Sequence, residues 1–240
     1  MNSFFTRIKF TFVMAILFLA VLPAKSQIIK GAAIVGANFA QVDGDEVYGF
    51  HRYGANLGLA AIIPFSKTWS VSLETLFSQK GSSQGQIYYD EREDSVTGQV
   101  NILTGEYKLK MNYVEVPLIL RYTDKEVFSL GAGISYARLV GITEEEHGKK
   151  VETTYLNSGT YKKDDWLANA DMMSRLHKNL KVLLGYGFSL FKLRTRDFYN
   201  IYGQYVKTRD QYNNLVSLRL IWVFNEGAKS VEEIQAEKGF

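Results

Sequence analysis

Residues 52–80 read RYGANLGLAAIIPFSKTWSVSLETLFSQK, which is two alternating segments joined by a chain reversal at PFSKT. In each segment larger apolar side chains take every second position, and small or polar side chains take most of the positions between. The first set is Tyr53, Ala55, Leu57, Leu59, Ala61, Ile63 and Phe65, then Trp69, Val71, Leu73, Thr75 and Phe77. The second set is Arg52, Gly54, Asn56, Gly58, Ala60 and Ile62, then Ser70, Ser72, Glu74, Ser78 and Lys80. A period of two predicts a β-strand, so this stretch predicts a β-hairpin.

The length of the two segments indicates what surrounds them. A tilted strand of ~10 residues spans the ~25 Å apolar layer of an outer membrane, whereas ordinary strands average about 5 to 6 residues. The large apolar face would meet lipid and the small polar face a crowded interior, which is the reverse of a soluble ligand-binding barrel. Tyr53, Phe65 and Trp69 stand near the segment ends, where an aromatic girdle is expected. We therefore interpret the hairpin as part of a transmembrane barrel.

Six further segments show the same alternation, which predicts eight strands in all. They cover residues 31–39, 107–122, 128–137, 166–176, 182–190 and 216–224, and the segment 166–176 fits least well. Short turns follow the second, fourth and sixth strands, and long polar loops, 81–106, 142–165 and 192–211 among them, follow the others. This order predicts an all-β fold, an eight-stranded antiparallel up-and-down transmembrane β-barrel with both ends in the periplasm. Pro117 cannot donate to a ladder, so we expect a bulge or a missing ladder bond there.

The N-terminus has the features of a secretory signal peptide. Two basic residues precede an apolar run over 10–21, and small residues follow at 24–26. The alternative is a retained membrane helix, but the run is shorter than the ~20 residues that a span requires. The predicted organisation is a signal peptide at 1–26, a barrel at 27–224 and a periplasmic tail at 225–240. Such a chain is expected in the cell outer membrane of a Gram-negative envelope.

Charge and composition exclude several classes of function. The 240 residues carry a formal net charge of +3, with 28 Lys and Arg against 25 Asp and Glu. Arg7, Lys9 and Lys25 all lie in the predicted signal peptide, which has no acidic residue, so the mature chain is balanced and a nucleic-acid partner is not expected. The chain has no cysteine, which excludes disulfides and thiolate metal sites.

Several charged side chains fall on the predicted inner face. They are Glu74, Lys80, Glu115, Arg121, Asp171, Arg175 and Arg219. An eight-stranded barrel has room inside only for its own side chains, and buried charges must be paired. We therefore predict an ionic network that plugs the lumen, the alternative being a gated ion path. In the last strand Trp222 and Phe224 are predicted to form the assembly signal that the outer-membrane insertion machinery reads.

The sequence offers little support for a catalytic site or a metal site. The three histidines, His51, His147 and His177, stand in a rim, an acidic loop and a turn, and no serine nucleophile motif accompanies them. The acidic cluster of Asp90, Glu91, Glu93 and Asp94 lacks the spacing of a calcium loop. We expect no catalytic, metal or cofactor-binding residue. The expected partners are outer-membrane lipid, the insertion machinery and a protein partner at the loops or the periplasmic face.

The order of several short motifs resembles the PorT-like outer-membrane barrel family, close in architecture to the small OmpA and OmpX type barrels. The motifs are 36–39 (GANF), 78–82 (SQKGS) with Glu74 before it, 113–118 (YVEVPL), 131–133 (GAG) and the aromatic finish at Phe224. The resemblance covers nearly all of the mature chain. It implies a barrel that acts as a structural or interaction protein, with the founding member linked to protein secretion. A small ion channel and a lipid-modifying enzyme are the alternatives.

Overall fold

Antiparallel β-strands make up nearly all of the structure, a computed structural model that describes residues 29–93, 100–125, 127–200 and 204–226. The predicted signal peptide lies outside these residues. The described strands are β1 (Lys30–Asp43), β2 (Arg52–Pro64), β3 (Trp69–Gln84), β4 (Asp90–Glu93), β5 (Val100–Leu103), β6 (Tyr107–Asp124), β7 (Phe128–Glu146), β8 (Lys149–Lys150), β9 (Asp164–Arg175), β10 (Leu180–Ser189), β11 (Arg194–Tyr199) and β12 (Tyr205–Val223). No helix in the described residues is long and apolar enough to cross a membrane.

Eight of these strands close into a barrel. They pair in the order β1, β2, β3, β6, β7, β9, β10 and β12, each antiparallel to the next. The ring closes because β1 also pairs with β12, from Ala32↔Val223 to Asp43↔Tyr212. Short turns connect β2 to β3, β6 to β7 and β9 to β10 and define the turn end of the barrel, and the opposite end is the loop end. The predicted fold class is confirmed.

The two faces of the barrel wall differ as the alternation predicted. On β2 and β3, Leu59 is 62% exposed and Leu73 is 47% exposed, whereas Asn56 and Glu74 are 0% and 1% exposed. Large apolar side chains thus form the outer surface, and polar side chains share the lumen. Aromatic pairs such as Trp69 with Tyr122, whose ring centroids are 5.2 Å apart, lie on the outer surface at the turn end.

The three long segments predicted as polar loops contain additional strands, so that part of the prediction was wrong. β6 and β7 run to 18 and 19 residues, well beyond the ~9 to 11 that a tilted strand needs to cross a bilayer. The first segment, 81–106, also forms the β4–β5 hairpin, the second, 142–165, includes β8 beside β7, and the third, 192–211, forms a hairpin of β11 with the first part of β12. The barrel wall therefore projects past the membrane at the loop end.

Pro117 interrupts one ladder without changing its register. The pairing of β3 with β6 passes from Leu73↔Leu118 to Leu76↔Glu115, and the pairs between them, which would include Pro117, are missing. The bulge lies elsewhere, where β6 pairs with β7, because Tyr113 faces Leu139 while Asn112 faces Gly141. Of the two expected outcomes at Pro117, the interrupted ladder is observed, and the bulge between Asn112 and Tyr113 is a separate feature nearer the loop end.

Candidate functional site

The lumen contains a chain of ion pairs centred on Arg121 of β6. Its guanidinium donates to Glu74 on β3 at 3.0 Å and to Asp171 on β9 at 2.9 Å and 3.2 Å. Glu74 also accepts from Arg219 of β12 at 3.3 Å. Four strands therefore contribute to one network, and its side chains are between 1% and 10% exposed.

A second pair lies further along β3 and β6. Lys80 and Glu115 approach to 2.9 Å, with side chains 0% and 3% exposed. Glu115 also accepts from Ser135 at 2.7 Å, and the Lys80 ammonium lies 5.0 Å from the centre of the Tyr113 ring. Each of these buried charges thus has an opposite charge, which the low-dielectric lumen requires.

Arg175, the seventh of the predicted lumen charges, takes part in a different cluster. It lies at the turn end, where its guanidinium binds Glu226 at 3.0 Å. Lys30 and Lys181 approach the same carboxylate at 3.6 Å and 2.9 Å. Glu226 belongs to the segment predicted as a periplasmic tail, so the start of that segment is bound to the barrel.

Apolar side chains fill the lumen on both sides of the ionic network. The turn-side cluster contains Ala32, Ile34, Ala60, Leu76, Met173, Leu183, Ile221 and Val223. The loop-side cluster contains Ala40, Val42, Val47, Tyr107, Leu109, Met111, Tyr113, Ala137, Leu139, Tyr161, Leu167, Leu193 and Leu215. Beside Asp171 and Arg219 the lumen leaves a cavity of about 20 Å³, which is room for about one water molecule. The lumen is therefore packed rather than open at the level of the ionic network.

A buried carboxylate that the sequence reasoning missed closes the loop end. Glu144 of β7 accepts from Arg194 of β11 at 2.8 Å and from Tyr107 at 2.8 Å, and its side chain is 2% exposed. The Arg194 guanidinium also stacks 4.2 Å from the centre of the Tyr161 ring. The β11–β12 hairpin is thereby fixed to the barrel wall over the loop-side cluster. We call Glu144, Arg194, Tyr107 and Tyr161 together the Glu144 cover.

The loop between β1 and β2 contributes to the same cover. Val47 inserts into the loop-side cluster, and the Asp45 carboxylate accepts from the Val47 amide at 2.9 Å. Burial raises the pKa of the Asp45 carboxyl to about 6 and outweighs that hydrogen bond and the charges of Arg194 and Arg196. Asp45 is thus a titratable group inside the cover, outside the membrane-spanning segments.

Of the two residues predicted as the assembly signal, Trp222 lies on the outer surface of the last strand and Phe224 follows directly after that strand. Trp222 is 50% exposed and Phe224 is 59% exposed. The Phe224 amide donates to the Gly31 carbonyl at 2.9 Å, so this aromatic stands at the seam between the first and last strands. Their role in insertion stays a prediction.

The three histidines are far from forming a catalytic group. His51 is exposed at the rim of β2, and His177 is exposed in the turn before β10. The His147 Nδ1 accepts from the amides of Thr104 and Gly105 at 3.2 Å and 3.1 Å, which stabilises a tight turn. In the part of the chain that the structure describes, no three His, Asp or Glu side chains group as metal ligands would. Asp94 of the acidic cluster lies outside the described residues.

Comparison with known proteins gives one family match. A family model described as the outer membrane protein beta-barrel domain matches residues 31–194, which is more than half of the chain. No curated protein matches the sequence.

Similar solved structures include three bacterial surface proteins. Neisserial surface protein A is 9% identical, with 81% of this chain and 97% of that chain covered and a TM-score of 0.47. A major outer membrane protein from Thermus thermophilus is 15% identical, with coverages of 82% and 99% and a TM-score of 0.42. Ail, the attachment invasion locus protein of Yersinia pestis, is 17% identical, with coverages of 80% and 99% and a TM-score of 0.40.

Proposed function

Because the chain belongs to the family of outer membrane protein beta-barrel domains, we propose that it acts as a closed barrel that presents an interaction surface. The protein lies in the cell outer membrane. The proposal has two parts, a lumen that passes neither ions nor solutes and a set of projecting hairpins that contact a partner. The channel alternative requires an open interior, and the enzyme alternative requires a catalytic group.

The packed lumen is the observation that carries the proposal. Ions would have to break the pairs of Arg121 with Glu74 and Asp171 and then pass the loop-side cluster. Removing one partner from a buried pair typically costs ~3 to 5 kcal/mol, because the other charge is left uncompensated. A lumen of this kind favours stability over transport, so we assign function to the surfaces outside it.

The projecting hairpins carry the surface that we assign to a partner. The residues that lead from β3 into β4 expose Ile87 and Tyr89, which are 66% and 60% exposed. The β11–β12 hairpin exposes Tyr199, Tyr205 and Val206, which are between 53% and 61% exposed. Contiguous exposed apolar patches mark interaction sites, and tyrosine is enriched at protein interfaces. The class of partner that fits this surface is another protein.

The PorT-like resemblance supplies the more specific form of the proposal. It makes the barrel an accessory to protein secretion or envelope assembly, with partners at the loops or at the periplasmic face. We infer a non-enzymatic role, because the histidines are separated and two of them are exposed at opposite ends of the barrel. Fold kinship alone does not assign the pathway.

Mild crosslinking in the native membrane tests the interaction surface. The wild-type protein should give a discrete crosslinked product, and a variant with Tyr199→Ser and Tyr205→Ser should lose it. Tyr155→Ser is the matched control, since Tyr155 is 59% exposed in a different loop, and it should keep the product. The proposal fails if the wild type gives no product, or if the double variant and the control give the same products.

A further inference from the structure

Three basic side chains converge on one carboxylate at the turn end of the barrel. Glu226 accepts from Arg175 at 3.0 Å, and the Lys181 and Lys30 ammonium groups lie 2.9 Å and 3.6 Å from it. Lys30 begins β1, Arg175 ends β9 and Lys181 lies at the start of β10, so three strands build the cluster. The Glu226 side chain is only 10% exposed, and the three bases are 15% to 29% exposed.

Asn225 brings the carboxylate to this position. Its side-chain oxygen accepts from the Gly31 amide at 3.1 Å, and its side-chain nitrogen donates to the Ile29 carbonyl at 3.1 Å. These two bonds extend the seam between β1 and β12 past the last residue of the strand. The chain is thereby turned inward, and the following residue reaches the mouth of the lumen.

The charge balance of the cluster favours an anion strongly. Without Glu226, three positive charges would face one another in a half-buried mouth, where like charges repel and desolvation is costly. Burial raises the pKa of Glu226, but the hydrogen bond from Lys181 and the charges of Lys181, Lys30 and Arg175 outweigh it, so the pKa lies below its usual value. The carboxylate is therefore held in its charged form.

We propose that Lys30, Arg175 and Lys181 form a carboxylate-binding site at the periplasmic mouth, with Glu226 as its intramolecular ligand. The contact holds the Glu226 side chain among the three bases at the end opposite the Glu144 cover. The site goes beyond the proposed function, because it acts whether or not the hairpins bind a protein.

Chemical rescue tests the site in the full mature chain. Glu226→Ala removes the ligand and leaves space that acetate can fill, while Asp124→Ala is the matched control, because Asp124 is an exposed acid in the β6–β7 turn at the same end. The urea midpoint of unfolding is measured in uncharged detergent micelles, with sodium acetate or with sodium chloride at equal ionic strength. A ligand that binds the folded state alone raises the midpoint as its concentration rises.

Glu226→Ala should lower the midpoint in chloride, and acetate should restore part of the loss in a saturable way. The wild type and Asp124→Ala should respond equally to the two salts, and adding Lys181→Met to Glu226→Ala should weaken the acetate response. Glu226→Gln, which keeps the shape of the side chain, replaces Glu226→Ala if that variant does not fold, and its lowered midpoint is then the readout. An unchanged midpoint, or a lowered midpoint that acetate restores no better than chloride, would overturn the proposal.

Discussion

Arg121 shows at the scale of one residue how the lumen is held together. It joins Glu74 and Asp171, so its removal leaves two carboxylates without their shared partner. Because the Arg121 side chain is 2% exposed, water has little access to solvate the two carboxylates in its place. Arg121→Ala should therefore lower the free energy of unfolding by ~3 to 5 kcal/mol, measured by urea titration in lipid vesicles.

Arg209→Ala is the control for this variant. Arg209 is 53% exposed and lies 3.9 Å from Glu46, a geometry that contributes at most about 1 kcal/mol in water. The two arginines thus differ in burial rather than in charge. Equal losses in the two variants would show that the lumen is hydrated, and would contradict the ionic network as a buried structure.

Asp45 gives a prediction about pH. Its pKa is raised from 3.8 to about 6, so the folded state favours the protonated carboxyl. The stability contributed by this group is present below 3.8 and is lost as the pH rises through about 6. Asp45→Asn should remove that loss. As the pH increases from 3.8 to about 6, the urea midpoint of the variant should therefore rise relative to the midpoint of the wild type.

The exposed Asp197 of β11 supplies the comparison for this measurement. Asp197→Asn changes a carboxylate in the projecting hairpin without touching the loop-side cluster, and its pH dependence should follow that of the wild type. If Asp45→Asn and the wild type have parallel midpoints over the same range, Asp45 does not titrate inside the cover.

At the scale of the strand, β6 shows how the membrane part of the wall and its projecting part differ in pattern, and the predicted strand at 107–122 covered nearly all of it. From Val114 to Tyr122 the outer residues are apolar and the inner residues include Glu115 and Arg121. Toward the loop end the polarity inverts, with Lys108 and Lys110 outward and Leu109 and Met111 buried. The period of two continues, but the outer face of the strand now meets water instead of lipid. The inner face packs into the apolar loop-side cluster instead of the ionic network. For β7 and β12 the prediction covered only 128–137 and 216–224, so the projecting parts of those two strands were missed.

Glu144 was not predicted as an inward-facing residue because of the bulge where β6 pairs with β7. Beyond Leu139 the inward positions of β7 shift phase, so that Ile142 and Glu144 face Met111 and Leu109. A single-sequence period cannot reveal a phase change of this kind. The partners within each ion pair could not be predicted from the sequence either. Glu74 and Arg219, for example, lie 145 positions apart and meet only because the ring closes.

The last strand carries a prediction about assembly. Phe224→Ala should reduce the amount of folded barrel in the outer membrane, because the terminal aromatic anchors the closing strand at the interface. The measurement is the ratio of folded to unfolded protein after expression. Phe65→Ala is the matched variant, since Phe65 is an exposed aromatic in the β2–β3 turn at the same end, and it should fold normally.

Truncation distinguishes the role of Phe224 in assembly from the role of the segment that follows it. Ending the chain after Glu226 should leave assembly intact, whereas ending it after Asn225 also removes the ligand of the basic cluster and should lower stability. If truncation after Glu226 abolishes insertion while Phe224→Ala does not, the insertion signal lies in the tail.

At the scale of the whole molecule, the protein is a membrane barrel closed at three levels. The Glu144 cover and the loop-side cluster close the loop end, the Arg121 network fills the middle, and Glu226 occupies the mouth at the turn end. Each level is built from residues of at least three strands or loops, so the closure depends on the whole ring. The surfaces that we propose for a partner are the projecting hairpins and the rim at the turn end.

Ion conductance of the purified protein in planar bilayers tests the closed barrel most directly. We predict no sustained current for the wild type, because the charges of the lumen are paired and the cavity beside Asp171 and Arg219 has room for about one water molecule. A steady, ion-selective current that changes in Arg121→Ala or Arg219→Ala would contradict the account and make the lumen a pore.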